Sequence, residues 1–181
     1  RLSLVFIRKS GEPYSVSFDE PGYNSVTGNS RFYADYALAY VPTGASDPNV
    51  SFTSAAVADS VMAHVNSTGL SSYKGTYAPR NAFNSPWYSR LDLRITQDIN
   101  VFKDHKVIVY LDLLNLLNLI DDEKGVVKEY SYNNSRQIIV DGVTSDGKFI
   151  IKGVDPDDNL WIQNRDGQSA WNINFGFKYA F

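Results

Sequence analysis

Hydrophobic and polar positions alternate with a strict period of two over residues 169–181, SAWNINFGFKYAF. Counting back from the end, Phe181, Tyr179, Phe177, Phe175, Ile173 and Trp171 share one side, and Ala180, Lys178, Gly176, Asn174, Asn172 and Ala170 share the other. Successive side chains of a strand point to opposite faces, so the pattern predicts a strand with one apolar, largely aromatic face and one small or polar face. A half-buried strand of a soluble sheet alternates in the same way, but it carries Val, Ile and Leu more often than an unbroken series of rings. In a strand that crosses a bilayer the apolar face meets lipid, and rings collect at the headgroup levels. Such a crossing takes about 9–11 residues, which this stretch supplies.

The same period recurs upstream. Over residues 89–101, Leu91, Leu93, Ile95, Ile99 and Val101 fall on one face with only Gln97 interrupting them, while Arg90, Asp92, Arg94, Thr96, Asp98 and Asn100 fall on the other. That second face is too charged for a protein core and suits a hydrated lumen. A short polar turn at 102–106 leads into residues 106–120, where Val107, Val109, Leu111, Leu113, Leu117 and Leu119 form an apolar face opposite Asp112 and Asn118. A helix competes over 111–120, because Leu113, Leu116, Leu117 and Ile120 also fit a 3.6-residue period. The strand reading is preferred, since Val107-Ile108-Val109-Tyr110 is β-branched and aromatic and no helix cap precedes it. Residues 1–8 and 14–18 give two further extended stretches, the first with Leu2, Leu4 and Phe6 on one side and Arg1, Ser3, Val5 and Ile7 on the other, an imperfect alternation.

Between these stretches lie long polar connections. Residues 19–75 are turn-rich and too long for a plain connection, which points to a functional or external loop. Within them Ser54 caps a predicted helix over 55–65, with Val57, Val61 and Val65 spaced four apart. Residues 121–168 hold a predicted hairpin, 136–140 with 148–152, joined through Gly142 and Asp146-Gly147. The order of connections is long, short, long. Up-and-down membrane barrels have short turns on the periplasmic side and long loops outside, and with Phe181 at the periplasmic end every connection falls on its proper side. The expected fold is therefore all-β: a transmembrane antiparallel β-barrel segment of about four spanning strands, covering residues 1–181 as part of one barrel domain.

Composition narrows the alternatives. A net charge of −3, a pI near 5.3 and scattered Lys and Arg give no basic footprint, so nucleic acid is not an expected partner. Cysteine is absent, which excludes disulfides and thiolate metal sites. No apolar run reaches the ~18 residues of a membrane helix, so a membrane role can be carried only by strands. Aromatic residues make up 14% of the chain, in keeping with interfacial rings. Arg1 opens directly into a strand pattern without an initiator Met or a leader, as expected of a mature or truncated piece of a longer polypeptide.

Candidate chemistry is sparse. His64 and His105 lie far apart, in a predicted helix and a turn, and read as surface residues before they read as metal ligands. Asp155, Asp157, Asp158 and Asn159 offer oxygen ligands to calcium, but the run lacks the glycine and distal glutamate of an EF-hand. Ser10-Gly11 and Ser145-Asp146-Gly147 are not nucleophile elbows and have no neighbouring histidine to act as base. No catalytic residue, metal site or cofactor is assigned, and an enzyme is not expected.

Four charged residues, Arg90, Asp92, Arg94 and Asp112, share the even face, where opposite charges on adjacent strands can pair and brace the wall against itself. Contact with a transported ligand is the competing role. Tyr130, Tyr132, Trp161 and the aromatics from Tyr33 to Tyr40 either meet a ligand at the mouth or pack the loops.

Taken together, Arg80-Asn81 with Pro86-Trp87, the run LDLRITQDI, the Asp112, Leu113, Asn115, Leu116, Leu117, Asn118 series and the terminal SAWNINFGFKYAF resemble the C-terminal end of TonB-dependent outer-membrane receptors. The Oar-like branch, whose members carry a carboxypeptidase-regulatory-like domain before the plug, is the most similar, and the Ser10–Ser15 and Ala39–Thr43 stretches resemble its external loop. Ser85 stands where that family more often has a basic residue before the proline. The resemblance implies a barrel of about 22 strands with an N-terminal plug, none of which is in this sequence, and energy-coupled uptake of an external ligand. It implies as partners outer-membrane lipid, the remainder of the barrel and plug, the barrel assembly machinery and, through the missing N-terminal part, the TonB complex. It also implies that Phe175, Phe177, Tyr179 and Phe181 form the signal read during assembly. The alternative function is a passive porin or a structural, adhesion-type barrel without energy coupling.

Overall fold

The computed structural model describes residues 1–19, 37–130, 134–155, 160–163 and 168–181. In chain order the elements are β1 (Leu2–Lys9), β2 (Pro13–Asp19), β3 (Val50–Phe52), α1 (Ala55–Ser67), a 3-10 turn (Gly69–Tyr73), β4 (Phe83–Asn84), β5 (Tyr88–Phe102), β6 (His105–Leu114), α2 (Leu116–Ile120), β7 (Val127–Tyr130), β8 (Asn134–Val143), β9 (Phe149–Val154), β10 (Leu160–Gln163) and β11 (Asn172–Ala180). Strands hold 51% of the described residues, which places the chain in the all-β class. It divides into two compact units, residues 1–11, 86–129 and 162–181 in the first and 12–85 and 130–161 in the second.

The first unit is built on a four-stranded sheet of order β1-β5-β6-β11 in which every pairing is antiparallel. Its register joins the alternating patterns of four separate stretches into single faces. Leu4, Leu93, Leu113 and Ile173 lie across the sheet in one row, and Leu2, Ile95, Leu111 and Phe175 in the next. On the opposite face Ser3, Arg94, Asp112 and Asn174 form the corresponding row. A one-residue slip of any strand would exchange its faces, so this agreement across three pairings carries the fold of the unit. Gln97, the one polar residue between Leu91 and Val101 in the odd row of β5, turns its Nε2 to the Asp98 carbonyl at 2.9 Å.

β5 and β6 meet in a tight turn at Lys103 and Asp104, with Lys103 at a φ of 49°. The expected strand over 106–120 is corrected at its far end: β6 stops at Leu114, and Leu117 and Leu119 belong to α2. The break is Asn115, left-handed at φ 56° and ψ 52°, a conformation that Asn tolerates better than the leucines around it. Its backbone N–H donates to Asp92 Oδ1 at 2.8 Å and its buried Nδ2 donates to the Gly125 carbonyl at 2.8 Å. These bonds hold the chain off the strand path that the leucine pattern alone would allow.

The second unit has its own core. A five-stranded mixed sheet runs β3-β9-β8-β2-β4, with β8 and β9 forming the expected antiparallel hairpin, while β2 pairs in parallel with β8 and β3 in parallel with β9. Phe18, Val41, Val61, Val65, Leu70, Ile138 and Ile151 are buried together between the sheet and α1. Each such side chain adds about 1.5–3 kcal/mol when taken from water. Ser54 caps α1, accepting from the Val57 N–H at 3.2 Å, and the helix continues to Ser67, a little beyond its expected end. Segments that read as long connections thus bury a hydrophobic core of their own.

Candidate functional site

The feature of the first unit that demands a partner is the odd face of its sheet. Leu2, Phe6, Phe175 and Phe177 are 69%, 60%, 72% and 73% exposed, and among the described residues no helix or second sheet covers them. In a soluble fold this row of large apolar side chains would be the core, as its counterpart is in the second unit. Here it faces outward. From Leu91 to Val101 the apolar row spans ten steps of about 3.3 Å, which at a tilt of about 40° gives a band about 25 Å tall, the height of the lipid-facing band of a membrane barrel.

The band ends in rings. A β-bulge between Asn100 and Phe102 shifts the register by one, so Phe102 pairs with His105 and joins the face of Val107 and Tyr179. The rings then follow one another across three strands: Phe102 to His105 at 6.3 Å, His105 to Tyr179 at 5.6 Å and Tyr179 to Phe181 at 6.2 Å. Tyr179 Oη lies 2.6 Å from His105 Nδ1, and Lys103 Nζ stands 5.3 Å from the Phe102 ring. At the opposite end of the sheet the Arg8 guanidinium lies 5.8 Å from the Trp87 ring, and Lys9 Nζ lies 6.0 Å from that of Tyr88. Rings with a polar tip, flanked by cations, suit the two boundaries between hydrocarbon and headgroups.

Of the residues singled out in the sequence, Phe175, Phe177 and Tyr179 lie in the uncovered row of β11, with Phe181 just beyond it and 94% exposed. The four charged residues all lie on the even face and meet in pairs. Arg94 donates to Asp112 through Nε at 2.5 Å and Nη2 at 2.6 Å, directly across β5 and β6. Arg90 donates to Asp92 along β5 at 2.8 Å, and the same Asp92 Oδ1 accepts from Asn115. Such pairs, open to water, are worth about 0.2–1 kcal/mol each, so they set geometry more than stability. Next to them Gly176 lies opposite Tyr110, and a Cβ there would come 2.4 Å from the phenol. Glycine lets the ring lie flat across β11, with the Arg94 guanidinium 5.3 Å from it.

The remaining candidates separate. His64 lies in the second unit, with Nε2 3.0 Å from Gln137 Oε1, and His105 is in the ring series of the first. Tyr40 and Tyr130 are buried in packing: the Tyr130 ring lies tilted 4.2 Å from that of Tyr14, and burial, then Tyr130, push the Tyr14 hydroxyl up to about 12. Tyr33, Tyr36, Tyr132 and residues 156–159, including most of the acidic run, lie outside the described residues, as does the side chain of Trp161.

Sequence reasoning missed two features. One is the junction of Asn115 and Gly125, where Gly125 at φ 64° presses so close that a Cβ would come 2.1 Å from Asn115 Oδ1. Its signal was an Asn-Leu-Leu-Asn series after a strand and a Gly ten residues on. The other is an open groove of about 370 Å³ lined by Trp87, Tyr88, Ser89, Leu117, Lys124 and Lys128. No pattern announces it, because its walls come from separate stretches. Protein-family models, curated proteins and solved structures, each compared with this chain, gave no match.

Proposed function

We propose that the first unit is part of the wall of a transmembrane β-barrel in an outer membrane, and that the barrel is a TonB-dependent receptor for energy-coupled uptake of an external ligand. The observation that carries the barrel reading is the register that brings Leu2, Leu4 and Phe6 of β1, the odd-numbered apolar residues of β5 and β6, and Ile173, Phe175 and Phe177 of β11 onto one uncovered face. Lipid is the partner such a face fits, because it is about 25 Å tall and ringed at its ends. Open strand edges are not tolerated in hydrocarbon, so β1 and β11 are completed by further strands. The even face, with its paired charges, lines the hydrated interior. The two-residue turn at Lys103 and Asp104 is then periplasmic, and the long connections leave and return at the external end. In this reading the chain performs no chemical step: it holds the barrel and its mouth.

The receptor part of the reading rests on the resemblance of the 80–118 series and the terminal strand to TonB-dependent receptors. The full-length polypeptide in a planar bilayer tests it. A plugged receptor gives no steady conductance until the plug is removed, whereas a passive porin conducts at once. Steady conductance from the intact protein, together with no binding to the periplasmic domain of the energy-transducing partner, would replace the receptor with the porin.

A further inference from the structure

Cations stand against rings at both boundaries of the apolar band, Lys103 beside Phe102 at one and Arg8 beside Trp87 at the other. At the periplasmic end the lipid-facing row closes with neutral rings, Tyr179 and Phe181, and the imidazole of His105. At the external end the row itself closes with a cation. Arg8 follows Leu2, Leu4 and Phe6 on the same face of β1 and lies opposite Ser89, the residue that extends the odd row of β5. Its guanidinium stands over Trp87, itself 65% exposed, and among the described residues it has no carboxylate partner. Trp87 and Ser89 also line the groove, together with Lys124 and Lys128. Lys124 is paired with Asp121 at 3.0 Å, whereas Lys128, also exposed, has no such partner among the described residues. Glu123 is the one carboxylate in the lining.

Resting on the barrel reading, we infer that Arg8, Trp87 and Lys128 form a binding site for a phosphorylated lipid headgroup of the external leaflet. Three features converge there. A guanidinium and an ammonium without acidic partners among the described residues supply charge-assisted hydrogen bonds to phosphate oxygens, and the planar fork of Arg8 suits them. The indole holds the guanidinium in place and offers a flat surface to a sugar or glycerol. Below them the odd rows, beginning with Phe6 and Leu91, provide the surface along which acyl chains run. The groove is open, as fits a headgroup attached to chains outside it better than a solute that must be enclosed. The site thus lies at the boundary where the apolar band gives way to charge, and it takes its ligand from the membrane, not from the medium.

The test uses the full-length protein inserted in neutral phosphatidylcholine nanodiscs, with diphosphorylated lipid A, dephosphorylated lipid A or inorganic phosphate added and bound species counted by native mass spectrometry. The expected result is retention of the phosphorylated lipid alone. Arg8→Gln and Lys128→Gln should each weaken that retention by about tenfold, and Trp87→Phe by less, while insertion into neutral lipid stays as in the parent. Equal retention of the dephosphorylated lipid, binding of inorganic phosphate, or full retention by the Arg8→Gln, Lys128→Gln double variant would each overturn the site while leaving the barrel in place. Failure of the parent to insert into neutral bilayers would overturn the barrel reading as well.

Discussion

Asn115 ends β6 and starts the junction with Gly125, and both tasks fall on one side chain. Its left-handed backbone costs a residue with a Cβ about 1–2 kcal/mol, and its buried amide supplies hydrogen bonds worth about 1–3 kcal/mol if left unmade. Asn115→Gly keeps the backbone freedom and loses the bonds, whereas Asn115→Ala loses both. Thermal unfolding of the inserted protein should therefore rank parent, Gly variant and Ala variant in that order, with Gly125→Ala close to the last, because its Cβ would press on Asn115 Oδ1. Equal midpoints for the Gly and Ala variants would remove the backbone part of this account. In the second unit Asp47 plays a comparable local part. Burial by itself would raise its pKa, but the Thr43 and Asn49 backbone N–H groups at 2.7 Å and 2.8 Å, with the Thr43 and Tyr40 hydroxyls, outweigh burial and hold it below the ordinary carboxylate value. A carboxylate with a depressed pKa lends stability that is complete above its unfolded value of about 3.9 and is lost as pH falls through the lower folded one. Hydrogen-exchange protection over residues 40–50, corrected for intrinsic rate, should hold from pH 7 to about 5 and fall below about 4. In Asp47→Asn it should be weaker at neutral pH and nearly flat with pH. A parent-like profile in that variant would show that the carboxylate contributes nothing.

Among the elements, β5 and β11 give the sharpest contrast between faces. Ile95 and Phe177 lie on the uncovered odd face, and Thr96 lies next to Ile95 on the even face opposite Tyr110. An arginine near the middle of a lipid-facing row costs about 2–4 kcal/mol. Ile95→Arg and Phe177→Arg should therefore reduce the amount of heat-modifiable barrel in the outer membrane, and Thr96→Arg should leave it near the parent level. Equal loss at all three positions would contradict the assignment of faces. These elements were also the most legible from sequence. Period-two alternation over long stretches fixed β5, β11 and the first part of β6, because each side chain there has only one of two faces to choose. The end of β6 was not legible, since Leu113, Leu116, Leu117 and Ile120 satisfy both periods and the deciding contacts come from Gly125 and Gln168. The second unit was least legible. Its parallel pairings join residues near 16 to those near 135, and Val50 to Phe149, so no local pattern could reveal that these polar stretches share a core.

At the scale of the whole molecule, the central claim is that the odd face of the four-stranded sheet meets lipid and the even face meets water. The absence of cysteine from this chain allows it to be read position by position. Single cysteines placed in turn at residues 91–101 of the full-length protein, labelled with an environment-sensitive fluorophore and reconstituted in bilayers, can be quenched by a lipid-borne quencher or by aqueous iodide. The account predicts a period of two: lipid quenching at 91, 93, 95, 97, 99 and 101, deepest near Ile95, and iodide quenching at the even positions between them. The same quenching at odd and even positions, or iodide access along the odd row, would show that this face is covered by protein or open to water, and would contradict the barrel.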